Sequence, residues 1–163
     1  MYVLDTNVVS ELRKVQAGRA HPGVAKWADT VAPMDLYLSA ITVEELEIGI
    51  LLAERRDPPQ GAIYRAWMST RLLATFADRI LPIDTAVAQR SARLHVPDPR
   101  PVRDALIAAT ALVHGMAVVT RNVADFTLTG VTIINPWTHA AHGRAKETAN
   151  DSTGRSSPLR SAG

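Results

Sequence analysis

Short, continuously apolar runs alternate along the chain with longer stretches in which apolar residues recur every three or four positions. Tyr2-Val3-Leu4 reads as a buried strand, and Val8, Val9 and Leu12 behind it have helical spacing. Ala17–Pro22 reads as a loop and Val24–Val31 as a short helix carrying Trp27. Leu36-Tyr37-Leu38 predicts a second strand. A helix from about Thr42 to Arg56 follows, stopped by Asp57-Pro58-Pro59. Ala62–Ala77 predicts another helix, Ile80–Ile83 a third strand and Thr85–Leu94 a further helix. Residues 96–101, Val-Pro-Asp-Pro-Arg-Pro, form a stiff loop. Val102–His114 is a helix closed by Gly115, where a left-handed residue is favoured. Met116–Val119 and Val131–Ile134 are the fourth and fifth strands.

Strands separated by helices predict an α/β fold, with a central, mainly parallel five-stranded sheet covered by helices on both faces. From about Ala141 the sequence turns small and polar and loses its apolar periodicity. The expectation is one domain over residues 1–138 and a disordered polar tail over 139–163, dispensable for folding.

Composition adds exclusions. With 47% hydrophobic and 21% charged residues, wholesale disorder is excluded. No apolar run approaches the roughly 20 residues of a membrane span, and no secretory signal opens the chain. The absence of cysteine excludes disulfides, thiolate zinc sites and a cysteine nucleophile, and it fits a reducing cytoplasm, where the protein is expected. The net charge of +2 sits on the tail. Residues from Gly143 onward hold four of the 18 basic residues and two of the 16 acidic ones, leaving a neutral body. Bulk charge therefore gives that body no grip on nucleic acid.

The acids are placed more pointedly. In a parallel sheet all strand C-terminal ends share one edge, where ligands bind. Asp5 follows the first strand, Glu44 and Glu45 follow the second, and Asp84 follows the third. Asp104 opens the helix before the fourth strand, and Asp125 lies just beyond that strand. Gathered carboxylates repel and raise one another's pKa unless a cation joins them. With oxygen ligands only, that cation would be Mg²⁺ or Mn²⁺. Structural roles compete with this one. Asp5 and Asp84 suit helix caps, Thr42-Val43-Glu44-Glu45 matches a capping box, and Asp125 suits a turn. Asp104 sits on a helix apolar nearly all round, so its charge needs a partner, either a metal or Arg103 or Arg121.

Four segments together carry a family resemblance: Val-Leu-Asp5-Thr6-Asn7; Ser-Ala-Ile-Thr42-x-x-Glu45-x-x-x-Gly49; Asp104-Ala-x-Ile-Ala-Ala; and Thr120-Arg121-Asn122-x-x-Asp125-Phe126. In this order and spacing the chain resembles a PIN-domain ribonuclease, most closely the VapC-type toxins of toxin–antitoxin operons, including the FitB-like branch. The resemblance spans roughly residues 1–138. It implies that Asp5, Glu45, Asp104 and Asp125 bind Mg²⁺ or Mn²⁺, and that RNA is hydrolysed at its phosphodiester bonds by metal-activated water. It further implies a cognate antitoxin and a homodimer. It selects Glu45 over Glu44 and Glu47 and leaves Asp84 a cap. Thr6, Thr120 and Asn122 become supporting polar positions, and Arg121, which adjoins the site, a phosphate contact. Gly49, one turn after Glu45, leaves room for a neighbouring helix or for water.

The remaining features are plain. The histidines show no zinc-site spacing, the three tryptophans suit core or interface, and no Gly-rich phosphate loop is present. The competing function is a non-catalytic partner module in an antitoxin–DNA repressor complex. An upstream reading frame encoding a small DNA-binding protein would mark an operon of that kind. A phosphatase using Asp5 fits poorly, because Asp5-Thr6-Asn7 lacks a second Asp two residues on.

Overall fold

In the computed structural model, which describes residues 1–139, five short strands lie in the order β3-β2-β1-β4-β5, all parallel. Along the chain run β1 (Tyr2–Leu4), α1 (Thr6–Leu12), α2 (Pro22–Ala28), β2 (Leu36–Ser39), α3 (Ala40–Arg56) and α4 (Pro58–Trp67). A π-helical turn (Met68–Leu72) leads into α5 (Leu73–Thr75). There follow β3 (Ile80–Leu81), α6 (Thr85–Leu94), α7 (Val102–Val113), β4 (Ala117–Val119), α8 (Val123–Phe126) and β5 (Ile133–Ile134). The expected tail lies outside the described residues apart from His139. Among the described residues, no helix is long and apolar enough to cross a membrane.

Successive strand residues point to opposite faces of the sheet, and two cores result. Leu4, Leu38 and Val119 face Val8, Trp27, Leu46, Ile50 and Phe76. Val3 and Val118 face Ile107, Ala108, Ala111 and Phe126. Most of the few aromatics pack at the first face, where Trp27 meets Tyr2 edge-on at 5.9 Å, while Phe126 fills the second.

The elements depart from the sequence expectation where a local contact overrides the pattern. Helix α3 begins at Ala40, because the Ser39 hydroxyl accepts from the Ile41 N–H at 3.2 Å. Thr42 therefore lies inside the helix and donates to the Leu4 carbonyl at 3.1 Å, so no capping box forms with Glu45. Asp57-Pro58-Pro59 ends α3 as expected, but it also starts α4. Proline is accepted in a first turn, and the Asp57 carboxylate accepts from the Gln60 N–H at 3.2 Å. His21 and Pro22 open α2 in the same manner, two residues early. β3 stops at Leu81, since Pro82 has no N–H to continue the ladder. Gly115 takes the left-handed conformation (φ 64°) past the end of α7, and the Met116 N–H returns to the Ala111 carbonyl at 2.9 Å.

Helices α3 and α4 form a tight hairpin. Arg65 on α4 reaches Glu47 at 2.6 Å and Glu54 at 2.9 Å on α3. At Gly61 the backbones meet so closely that a Cβ would lie 2.5 Å from Glu54 Cα. Gly61→Ala is expected to force the hairpin apart and destabilise the fold by about 1–3 kcal/mol, the usual range for overpacking. A lower urea midpoint at unchanged m-value would record it; an unchanged midpoint would mean that the hairpin yields freely.

Candidate metal centre and its surroundings

β1 sits between β2 and β4, where the chain reverses its progress across the sheet. Such a switch point opens a crevice at the strand C-terminal ends, and Asp5 and Thr120 leave their strands there side by side. The Asp5 N–H donates to the Val119 carbonyl at 3.0 Å. Asp5 is 5% exposed. Its carboxylate accepts from the Thr6 N–H, the Asn7 amide and the Thr120 hydroxyl, each at 2.7 Å. It thus caps α1 and lines the crevice at once. Burial pushes its pKa up; the three hydrogen bonds pull it down, and the charge of Asp125 raises it further.

Glu45, on the second turn of α3, accepts from the Thr6 hydroxyl. Its neighbours are spoken for elsewhere: Glu47 pairs with Arg65, and Glu44 faces Arg103 at 3.8 Å. Asp104 stands in the first turn of α7, a position the helix dipole favours for an anion. Its own face carries Ile107, Ala108 and Ala111, all fully buried, whereas Val102 is 63% and Val113 38% exposed. The buried side of α7 is thus the Asp104 side. Burial, then the charges of Asp125, Asp5 and Glu45 in that order, raise its pKa to about 6. No salt bridge reaches Asp104 among the described residues; Arg103 turns to Glu44. Asp125 is exposed and lies in α8, a one-turn helix, rather than in a simple turn. Asp84 accepts from the Val87 N–H at 2.9 Å and caps α6, two strands from β1.

The supporting residues cluster tightly. Thr120 accepts from the Asn122 N–H at 2.9 Å while donating to Asp5. Arg121 is exposed, with its guanidinium 5.8 Å from the Trp137 ring. Asn7 is the residue that sequence reasoning left without a role. Besides donating to Asp5, its side-chain oxygen accepts from the Arg121 N–H at 3.1 Å, tying α1 to the loop after β4. Its place two residues after Asp5 was the available signal. Gly49 has nothing within 4 Å of where a Cβ would be, so it leaves open space rather than room for a helix.

The donor set suits a hard divalent cation: four carboxylates, three of whose charges add to burial in raising the fourth, Asp104, with no soft ligand. As the side chains stand, no three His, Asp or Glu groups among the described residues are spaced to hold one ion together. Thr6 holds Glu45, and Thr120 and Asn7 hold Asp5, and a carboxylate that accepts such bonds keeps lone pairs for an ion.

Residues 2–127 match the family described as PIN domain. The chain belongs to the PIN domain family. It is 39% identical over 142 residues to the VapC ribonuclease Y4jK of Sinorhizobium fredii, covering 84% of this chain and 98% of that protein. It superposes on the crystal structure of FitAcB from Neisseria gonorrhoeae with a TM-score of 0.76 at 34% identity, covering 85% of this chain and 99% of that one. A toxin–antitoxin complex from Klebsiella pneumoniae gives a TM-score of 0.57 at 28% identity, over 83% of this chain and 98% of that one. This PIN domain is therefore of the VapC and FitB type.

Proposed function

We propose that this PIN domain is a Mg²⁺- or Mn²⁺-dependent endoribonuclease, the toxin of a toxin–antitoxin pair, held inactive by a cognate antitoxin. The observation that carries this reading is the convergence of Asp5, Glu45, Asp104 and Asp125 at the switch point, where burial first and then the other three charges raise Asp104 to about 6. The likeness to a VapC ribonuclease and to toxin–antitoxin complexes supports the substrate and the partner.

In this reading the four acids hold the cation. When bound, it supplies a Lewis acid that lowers the pKa of water and offsets charge building on the phosphate. The chain's own residues do the positioning. Thr120 and Asn7 fix the rotation of Asp5, and Thr6 fixes that of Glu45. Exposed Asp125 is free to orient a water, and Arg121 beside it contacts a phosphate oxygen of the RNA. The Trp137 ring, 5.8 Å from the Arg121 guanidinium, limits where that exposed side chain swings. The homodimer implied by the resemblance would show as twice the chain mass in solution.

Mapping cleavage sites in total RNA after brief induction, with Asp5→Asn as control, tests this function. Defined cuts from the wild type alone support it; no cut from either protein would favour the partner-module alternative. Glu45→Gln adds a finer test. Gln keeps an acceptor for Thr6 and, with no capping box to lose, should leave the melting temperature unchanged. The lost charge is expected to lower cleavage on the order of 10²-fold. Wild-type cleavage by Glu45→Gln would remove Glu45 from the chemistry.

A further inference from the structure

Next to Glu45, one of the four acids, lies a cavity of about 200 Å³ that Thr6 and Glu45 both line. It is walled by Glu45 and Gly49 of α3, by Arg13 after α1, and by Tyr64 and Trp67 of α4. The Arg13 guanidinium lies over the Tyr64 ring at 4.1 Å and 5.5 Å from the Trp67 ring. Several water volumes fit such a space, at ~30 Å³ each, yet it is smaller than the roughly 300 Å³ at which drug-sized sites begin. A single planar ring system is the right scale. Gly49 keeps it open, since no atom approaches the place of its missing side chain.

We propose that this cavity is a base pocket, which receives the unpaired nucleobase of a nucleotide next to the scissile phosphate and thereby sets the sequence that is cut. The proposal rests on the ribonuclease reading and extends it to specificity. Flat guanidinium and aromatic surfaces are what unpaired bases stack on in single-stranded RNA recognition. The rim offers both edge chemistries: Arg13 N–H groups donate, and the Ser10 hydroxyl accepts. Arg13 and Trp67 also border a larger cavity of about 520 Å³, whose rim adds Arg71. Arg71 is held by Gln16 at 2.7 Å. That basic continuation gives the RNA backbone a path away from the acids, on a body whose overall charge supplies none.

The test uses single-stranded oligonucleotides of the preferred cleavage sequence, with an abasic nucleotide placed on either side of the scissile bond in turn. For the wild type, one abasic position is expected to lower kcat/KM at least tenfold, within the range that base stacking gives. Gly49→Leu fills the cavity on an exposed helix position and should melt no lower than the wild type. It is expected to lose the same factor on the intact substrate and less than twofold more on the abasic one. Arg13→Gln should behave likewise, and it decides the matter should Gly49→Leu fail to fold. Equal abasic penalties in wild type and variants would overturn the proposal. So would variants that cut as the wild type does but escape inhibition by the antitoxin, which would give the cavity to a peptide. No cleavage of any RNA by the wild type would instead sink the ribonuclease reading, and this inference with it.

Discussion

Protein stripped of divalent metal and held in excess EDTA is expected to cleave RNA on the order of 10³-fold more slowly or worse, and Mn²⁺ or Mg²⁺ should restore it. The crevice gathers four carboxylates around Asp5 and Asp104. Without a cation those charges repel the phosphate of the RNA. The chain has no cysteine, and the site described above holds no serine activated by a histidine, so in the proposed function hydrolysis rests on what the acids hold. Losing one preorganised source of positive charge costs about 10²–10³-fold in comparable sites, and here the water would lose its activation as well. Initial rates before and after chelation measure this directly. Undiminished cleavage in EDTA would show that the acids act without an ion.

The second large effect has two opposite parts. Asp104→Asn is expected to abolish cleavage while making the metal-free protein more stable at pH 7.5. A pKa raised from 3.8 to about 6 means that the folded state binds this proton more tightly than the unfolded chain. That favourable contribution is complete below pH ~4 and is lost as pH rises through ~6. At pH 7.5 the ionised group is thus a liability that Asn removes. The shift alone would be worth ~3 kcal/mol, which solvent screening at a half-buried group reduces to ~1 kcal/mol. The gain should shrink below pH 6 and vanish near pH 4, where wild-type Asp104 is itself protonated. Melts with and without Mn²⁺ complete the picture, since the metal-induced rise should vanish in the variant. A loss of metal-free stability of several kcal/mol, with the Mn²⁺ shift intact, would make Asp104 a structural ion-pair partner. Arg103, turned to Glu44, speaks against that outcome.

How legible this was depends on how local the deciding contact is. The strands and the edge that gathers the acids follow from apolar runs alternating with helical periods, because a two-sided parallel sheet demands them. Gly115 and the proline stops were equally plain. The start of α3 was not: Thr42 and Glu45 carry the spacing of a capping box, yet Ser39 takes the cap and Thr42 bonds across to β1. Two local caps, Ser39 and Thr42, compete in the sequence, and the tertiary bond from Thr42 to Leu4 decides between them. Sequence likewise gave Asp104 two kinds of partner. Only the placement of Arg103 and of three neighbouring acids separates them. Asn7 was visible as a residue and invisible as a strut, because its partners Thr120 and Arg121 lie more than a hundred positions away. The Arg13–Tyr64–Trp67 stack was hidden for the same reason.

Calorimetric titration of Mn²⁺ into metal-free protein tests the central claim, that the acids at the switch point are one cation site. Wild type should show saturable binding, and Asp5→Asn and Asp104→Asn should each lose most of it, while Asp84→Asn, altered only at the cap of α6, binds as the wild type does. Binding unchanged by both Asp5→Asn and Asp104→Asn would place the cation elsewhere and contradict the account.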